Sequence, residues 1–269
     1  MNTDSYFEIG TTHQVCQDYA LSGTYKNLHY AIISDGCSSA ENSEIGSQIL
    51  CHVSRYVLQS FHDLFFEVKI NTLAPLLGNS IIKRADEIRK LYPISINSLQ
   101  ATLLMIVSVH DNLTYLFGWG DGYILHKKRD KDCIEYIKIE YPQTNAPFYL
   151  ITSRDDYIKK LGPDNTVRRT EGELGKDEPF ITDNPFDHPF CTVVNPGPGD
   201  IIAVTTDGLD HYLNHNKDPV FDQQMMLEVM DFPNTQGVFV KRTMGFLKKS
   251  LLGKNWSHSD DIGIAAISI

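Results

Sequence analysis

Aspartates that border apolar, strand-like runs are the residues of this sequence best suited to chemistry. The clearest case is YAIISDGCSSAEN, in which an apolar run ends at Asp35 and Gly36. A strand fixes the direction of its last side chain, and a neighbouring glycine lets backbone or ligand approach closely. The arrangement recurs along the chain, and the complete set is Asp18, Asp35-Gly36, Asp121-Gly122, Asp207-Gly208 and Asp260-Asp261.

Carboxylates that converge from several strands repel one another, and a divalent cation can compensate that repulsion. Oxygen-only ligation suits Mg²⁺ and Mn²⁺, with water completing an octahedral shell. Two such ions about 3.5–4 Å apart can convert water into a nucleophile and stabilise charge on a phosphoryl group. Because Asp-Gly is also a common turn dipeptide, the metal interpretation depends on the whole set of acids.

The composition limits the class of protein. The 269 residues are 42% apolar and 22% charged, as in ordinary globular proteins, with a formal net charge of −10. The lack of a basic block argues against nucleic-acid binding. No apolar run reaches the roughly 18 residues that span a membrane, MNTDSYFEIG does not resemble a signal peptide, and five dispersed cysteines indicate free thiols. These features predict a cytoplasmic protein that binds neither nucleic acid nor membrane.

The spacing of apolar residues predicts the elements that position the acids. These are a strand at 28–34, helices near 45–57 and 77–92, strands at 99–109, 113–120, 122–128 and 133–141, a strand at 200–210, helices near 222–231 and 235–251, and a final strand. Polar turns at 110–112 and 129–132 indicate an antiparallel meander. Eight of the twelve prolines lie in 142–198, which predicts an irregular flap or insertion.

The order of these elements favours an α+β fold. Consecutive strands favour antiparallel sheets with helices packed outside them over an alternating parallel arrangement. No linker separates two self-sufficient halves, so we expect one domain over 1–269, with the flap within 142–198.

Taken in chain order, these segments resemble the metal-dependent protein phosphatases, the type 2C serine/threonine phosphatase family. The resemblance runs from about residue 9 to residue 269. QDYAL resembles the opening Glu-Asp segment, YAIISDGCSSAENSEIGSQIL the strand that ends in Asp-Gly before a helix, and SLQATLLMIV the Gly-Ser-Thr-Ala strand. LFGWGDGYILHKK resembles the Gly-Asp-Ser-Arg hairpin, GDIIAVTTDGLDHY the strand ending in Ser-Asp-Gly-Leu, and SHSDDIGIAAI the closing Asp-Asn strand.

The resemblance implies a four-layer α-β-β-α sandwich, with two antiparallel sheets flanked by helices and metals at one end. It implies that the protein binds two Mn²⁺ or Mg²⁺ ions, with a third, weaker metal site. It also implies a monomeric enzyme that removes phosphate from phosphoserine or phosphothreonine of a protein. By position, Asp35 would bridge both metals and Gly36 would add its carbonyl. Asp207 and Asp260 would hold the first metal, Asp18 would act largely through bound water, and Asp121 would serve the third site.

Several positions depart from the family pattern, and the departure at Cys37, which bacterial members often share, favours a bacterial-type member. Gln17 replaces the usual glutamate, and His13 stands where an arginine commonly grips the substrate phosphate. A histidine there can donate a hydrogen bond but not a bidentate contact. Cys37 replaces a histidine of many eukaryotic members, and Asp210 precedes His211 where the family usually has its acid one position later. These departures motivate the alternative of a catalytically weak, phosphatase-like binding or regulatory module.

Two other phosphatase chemistries fit the sequence less well. A cysteine phosphatase built on Cys37 needs an arginine close behind it, and none follows until Arg55. A haloacid-dehalogenase-like enzyme needs Asp-x-Asp after the first strand, and ISDGC supplies one acid. The ten histidines form no H-E-x-x-H pattern, which argues against a zinc hydrolase.

Overall fold

A computed structural model describes residues 1–109, 113–129, 133–143, 147–152, 166–176, 178–185, 190–220 and 222–269. Its strands are β1 Asn2–Glu8, β2 Asp18–Tyr25, β3 Leu28–Asp35, β4 Leu103–Ser108, β5 Thr114–Trp119, β6 Gly122–Lys128, β7 Cys133–Glu140, β8 Thr166–Glu173, β9 Phe180–Pro185, β10 Phe190–Val194, β11 Ile201–Thr205, β12 Tyr212–Leu213, β13 Ser257–His258 and β14 Ile262–Ser268. Its helices are α1 Ser43–Ser60, α2 Leu64–Glu67, α3 Ile70–Arg89, α4 Asp222–Val229 and α5 Phe239–Gly253, with 3-10 turns at Ile96–Leu99 and Asp207–Asp210.

Two large antiparallel sheets carry most of the strands. One has seven strands in the order β1-β14-β11-β6-β7-β8-β9, and the other has five in the order β10-β5-β4-β3-β2. Because β1 pairs with β14 along its whole length, the two ends of the described chain lie side by side in one sheet.

The two sheets face each other across an apolar core. Alternate residues of a strand point to opposite faces, so Ala31 and Ile33 of β3 point inward with Val204 of β11 and Ala265 of β14. The other face of each sheet packs against helices. Both α1 and α3 cover the five-stranded sheet, where Leu50 and Leu77 are buried among residues such as Ile32 and Met105.

Helices α4 and α5 cover the seven-stranded sheet, where Met226, Val240 and Leu247 pack with Leu125 and Ala203. The layers therefore run helix, sheet, sheet, helix. The predicted four-layer α-β-β-α sandwich is confirmed, as are the strand at 28–34 and the helices that follow it.

The prediction of one continuous meander is wrong at its centre. The pairs β4–β5 and β6–β7 are antiparallel as expected, but β5 and β6 belong to different sheets. The chain changes sheets at Gly120, Asp121 and Gly122, and both glycines have positive φ, 103° and 130°. Glycine tolerates such values, so this short segment can turn between the two layers. The predicted turns at 110–112 and 130–132 lie outside the described residues.

The interval 142–198, predicted to be irregular, contains three strands among its described residues. Strands β8 and β9 extend the seven-stranded sheet, and β10 pairs with β5 at the edge of the other sheet. The prediction of an irregular segment is wrong for these three strands. β8 and β9 are rich in polar residues and lack the apolar alternation by which strands are recognised. Residues 144–146, 153–165, 177 and 186–189 lie outside the described part.

Two simpler expectations concern membranes and cysteines. Within the described ranges, no helix combines the length and apolar character that crossing a bilayer requires. All five cysteines have free thiols, as predicted.

Candidate metal centre

The first two acids of the set meet across the β2–β3 pair. Asp18 begins β2 and lies directly opposite Asp35, the last residue of β3. Asp18 is only 2% exposed, whereas Asp35 is half-buried, and their carboxyl groups are close enough to interact electrostatically. The antiparallel register therefore brings together two side chains that are separated by a complete hairpin.

Backbone hydrogen bonds hold the end of β3 rigidly. The Asp35 N–H donates to Thr102 Oγ1 at 2.9 Å, and the Thr102 N–H donates back to the Asp35 carbonyl at 2.8 Å. The Gly36 N–H donates to the Gln17 carbonyl at 3.1 Å. A Cβ on Gly36 would lie 2.7 Å from the Ser43 carbonyl oxygen at the start of α1, so this close approach requires glycine.

A threonine joins this hairpin to the end of β11. Thr206 donates from Oγ1 to Asp18 Oδ2 at 2.7 Å and accepts from the Gly263 N–H at 2.9 Å. Asp207 follows immediately and opens the 3-10 turn Asp207–Asp210. A Cβ on Gly208 would overlap the Asp261 backbone, so the turn lies directly against the closing segment of the chain.

The two acids of that closing segment have different surroundings. Asp261 is 2% exposed and accepts hydrogen bonds from the Gly10 N–H at 2.7 Å and the Gln17 N–H at 2.5 Å. Asp260 has a side chain that is 34% exposed and approaches the end of β11. Asp261 therefore holds the N-terminal segment in place, and Asp260 faces the acidic cluster.

A histidine completes the nearest group of potential ligands. One side-chain donor atom each of Asp207, His211 and Asp260 lies within 4.8 Å of the others. His211 follows the 3-10 turn directly. Among the described residues, these three side chains are close enough together to bind one metal ion.

Burial and mutual repulsion raise the carboxyl pKa values of the cluster. Burial raises the pKa of Asp207 to about 6, and the charge of Asp260 adds to the shift. Burial raises the pKa of Asp121 to about 8, with a further contribution from Asp207. Burial also raises the pKa of both Asp18 and Asp35 well above the ordinary value, and for Asp35 the charges of Asp18 and Asp207 add to it.

Buried carboxylates that repel one another require a compensating positive charge. Either protons or a cation can supply it. The donors are carboxylate oxygens with one imidazole, a set that suits a divalent metal ion. Asp35, Asp121 and Asp207 are half-buried, so the cluster opens to solvent. The residues therefore fit a divalent-metal centre at this end of the sandwich.

His13 lies at the rim of the cluster. Its Nε2 is 3.5 Å from Asp260 Oδ1, and its Nδ1 is 3.1 Å from Asp261 Oδ2. Nδ1 is buried and is not aligned for a hydrogen bond with that carboxylate. The imidazole of His13 is therefore close to the acids.

Asp121 approaches the cluster from the sheet-changing segment, and its carboxyl group interacts electrostatically with Asp35 and Asp207. Asp210 has different partners. It accepts a hydrogen bond from the Tyr123 hydroxyl and forms an ion pair with Lys138 at 3.0 Å.

Sequence reasoning missed the supporting roles of Thr206 and Asp261. Thr206 is a buried polar residue that links Asp18 to β14, and Asp261 binds two backbone N–H groups near the N-terminus. The signal for Thr206 was a polar residue between an apolar run and an acid. For Asp261 no local signal existed, because its partners lie at the other end of the chain.

A family model described as protein phosphatase 2C matches residues 10–245. The chain belongs to the protein phosphatase 2C family. It is accordingly a metal-dependent phosphoprotein phosphatase. No curated protein matches the sequence.

Solved structures of bacterial phosphatases share the fold at low sequence identity. The S. agalactiae serine/threonine phosphatase has a TM-score of 0.55 and 15% identity, covering 98% of this chain and 97% of that one. PppA of Pseudomonas aeruginosa has a TM-score of 0.55 and 13% identity over 99% and 97% of the two chains. PstP/Ppp of Mycobacterium tuberculosis has a TM-score of 0.54 and 14% identity over 98% and 96%.

Proposed function

We propose that the acidic cluster holds two Mn²⁺ or Mg²⁺ ions and uses them to hydrolyse phosphoserine or phosphothreonine on a protein. The observation that carries this proposal is the convergence of acids from separate strand ends with raised pKa values. The proposed ligands are Asp18, Asp35, the Gly36 carbonyl, Asp207 and Asp260, with Asp121 at a third, weaker site. Asp35 and Asp207 are the central catalytic ligands.

When bound, the ions supply a nucleophile from water at neutral pH and stabilise the negative charge of the phosphoryl group. The protein itself contributes by holding the ligand carboxylates in place. Asp18 is oriented by Thr206 at 2.7 Å, and Asp35 is fixed by its reciprocal bonds with Thr102. Rigid support of this kind keeps the carboxylates in place before substrate arrives.

His13 is the proposed phosphate contact. It lies within 3.5 Å of Asp260 and its side chain is 24% exposed, so its ring can donate a hydrogen bond toward a phosphoryl oxygen at the open side of the cluster. One hydrogen bond from an imidazole positions a phosphate less firmly than the two parallel bonds of an arginine. We expect His13 to assist catalysis but not to be indispensable.

We also propose that residues 1–269 act as one domain and as a monomer. The pairing of β1 with β14 supports the single domain, because removing either end of the chain would remove an edge or a central strand of the same sheet.

The test uses purified full-length protein with an aryl phosphate and with a phosphothreonine peptide, in Mn²⁺ and in EDTA. We expect hydrolysis of both substrates in Mn²⁺ and none in EDTA. Inactivity on both substrates in Mn²⁺ would contradict the enzyme proposal. Calorimetry then identifies the alternative, since tight binding of two ions without turnover indicates a binding or regulatory module.

A further inference from the structure

His211 occupies a position from which its ring can reach the metal centre. Its N–H donates to the Gly208 carbonyl at 3.2 Å, and its own carbonyl accepts from the Ser259 N–H at 2.9 Å and from Ser259 Oγ at 3.1 Å. Residue 211 is therefore held by both segments that carry candidate ligands, the one after β11 and the one before β14.

The ring nitrogen lies close to two carboxylates. Nε2 is 3.8 Å from Asp260 Oδ2, and one donor atom each of His211, Asp260 and Asp207 lies within 4.8 Å of the others. A separation of 3.8 Å is too long for a hydrogen bond. Within the described part of the chain the ring has no hydrogen-bond partner, so its nitrogen is available to another ligand or ion.

A simpler explanation is that His211 is a surface ion-pair partner of Asp260. The side chains are 46% and 34% exposed, and an ion pair at such exposure contributes little to stability. An ion pair with Asp260 does not require Asp207 to share the same space. The three-way convergence, together with the backbone bonds that hold residue 211, favours a ligand role.

We propose that His211 gives a nitrogen ligand to the ion held by Asp207 and Asp260, which shifts that site from Mg²⁺ toward first-row transition metals. This inference rests on the proposed function, because it concerns the same metal centre. Imidazole nitrogen suits transition metals, whereas Mg²⁺ favours oxygen ligands in a strict octahedral shell. For an N/O site, affinity rises from Mn²⁺ to Co²⁺ along the first row.

The test is a Co²⁺ titration of full-length protein, followed by its visible absorption and by competition with Mg²⁺. Loss of His211 in His211→Ala should weaken Co²⁺ binding at least about tenfold and change the Co²⁺ spectrum, by comparison with known effects of groups around metal sites. Mg²⁺ affinity should change by less than about threefold, because that ion gains little from imidazole. His211→Asp replaces the nitrogen donor by an oxygen donor and should, like His211→Ala, lower the Co²⁺/Mg²⁺ affinity ratio.

The matched control is His215→Ala, which removes an exposed imidazole four residues away and should leave both affinities unchanged. Melting curves in EDTA check that each variant is folded. If His211→Ala keeps the wild-type spectrum and Co²⁺/Mg²⁺ ratio, the inference is wrong. It is also wrong if His13→Ala, instead of His211→Ala, changes the ratio. Either result leaves the proposed function standing when the wild type hydrolyses phosphate in Mn²⁺, whereas failure of the wild type to bind any divalent ion overturns both.

Discussion

The inner core of the sandwich and the acidic cluster at its end are built from the same strands. β3 places Ala31 and Ile33 between the sheets and then presents Asp35, and β11 buries Val204 two residues before Thr206 and Asp207. In the core, each side chain is satisfied by its neighbours. At the strand ends, the carboxyl groups are stabilised only when protons or a cation compensate their charge.

Along a single strand, the apolar residues between the sheets therefore provide stability, and the acid at the end serves the candidate metal centre. Apolar burial is worth about 25 cal/mol per Å² and does not depend on pH or metal. The acidic end opposes folding when its carboxyl groups are ionised and no cation is present. A strand whose apolar residues are buried between the sheets can therefore carry a destabilising carboxylate at its end.

The largest expected effect is at the acidic end. Asp35→Asn keeps the shape of the side chain but removes a carboxylate from the centre. We expect phosphatase activity in Mn²⁺ to fall at least about 10³-fold, because metal-dependent stabilisation of the reacting groups is worth several kcal/mol. In EDTA at pH 8, the same variant should melt at a higher temperature than wild type, since one repelling charge is gone.

The matched control is Asp183→Asn, an exposed acid on β9 that pairs with Arg168 at 2.8 Å. It should keep wild-type activity. Equal activity of Asp35→Asn and wild type would show that Asp35 does not belong to the reacting centre.

In the buried part of the same strand, we expect a substitution to change stability independently of metal. Ile33 is fully buried between the sheets, and Ile33→Ala should lower the free energy of unfolding by about 2–5 kcal/mol through lost burial and a cavity. The loss should be the same in EDTA and in Mg²⁺. Denaturant unfolding under both conditions measures it, and a loss confined to the metal-bound protein would remove the distinction between the two regions.

The pH dependence of the metal-free protein is the next effect in size. The folded pKa values of Asp207 and Asp121 are about 6 and about 8, above the roughly 3.9 of an unfolded aspartate. The native state then binds more protons than the unfolded state between these values, so stability falls as the pH rises from about 4 to about 6 for Asp207 and from about 4 to about 8 for Asp121, and levels off above. We expect the melting temperature in EDTA to fall by about 5 °C or more between pH 5.5 and 8.5.

Mg²⁺ should remove most of that decline, because the ion replaces the protons as compensating charge. Differential scanning fluorimetry with and without Mg²⁺ makes the comparison. A metal-free melting temperature that is flat or rises over this range would contradict the electrostatic account of the cluster.

The smallest effect is expected at His13. Loss of one hydrogen bond to a charged group corresponds to about tenfold in rate, so His13→Ala should reduce kcat/KM by about that factor. His13→Arg should restore or exceed wild-type activity, because a guanidinium can bind phosphate with two bonds. Steady-state kinetics on an aryl phosphate tests both variants, and an unchanged rate in His13→Ala would exclude a phosphate contact.

The sequence predicted the acids at strand ends because each one follows or precedes a strongly apolar run. It could not predict that β5 and β6 lie in different sheets, since apolar alternation shows which face is buried but not which sheet a strand joins. It also missed β8 and β9, because TVRRTEGE and FITDNP show no regular alternation of apolar residues, and the short strand β10. The approach of His211 to Asp260 depends on tertiary packing of two distant segments, which spacing along the chain does not reveal.

The most direct test of the account is a crystal of the protein soaked in Mn²⁺, with anomalous diffraction recorded at a wavelength where manganese scatters strongly. We expect anomalous peaks among Asp35, Asp207 and Asp260, with carboxylate oxygens of all three contacting the same pair of ions. The same crystal of Asp207→Asn should lose at least one peak. A map of the wild type without anomalous density there, or with these carboxylates directed to separate places, would contradict the claim that the strand ends form one metal centre.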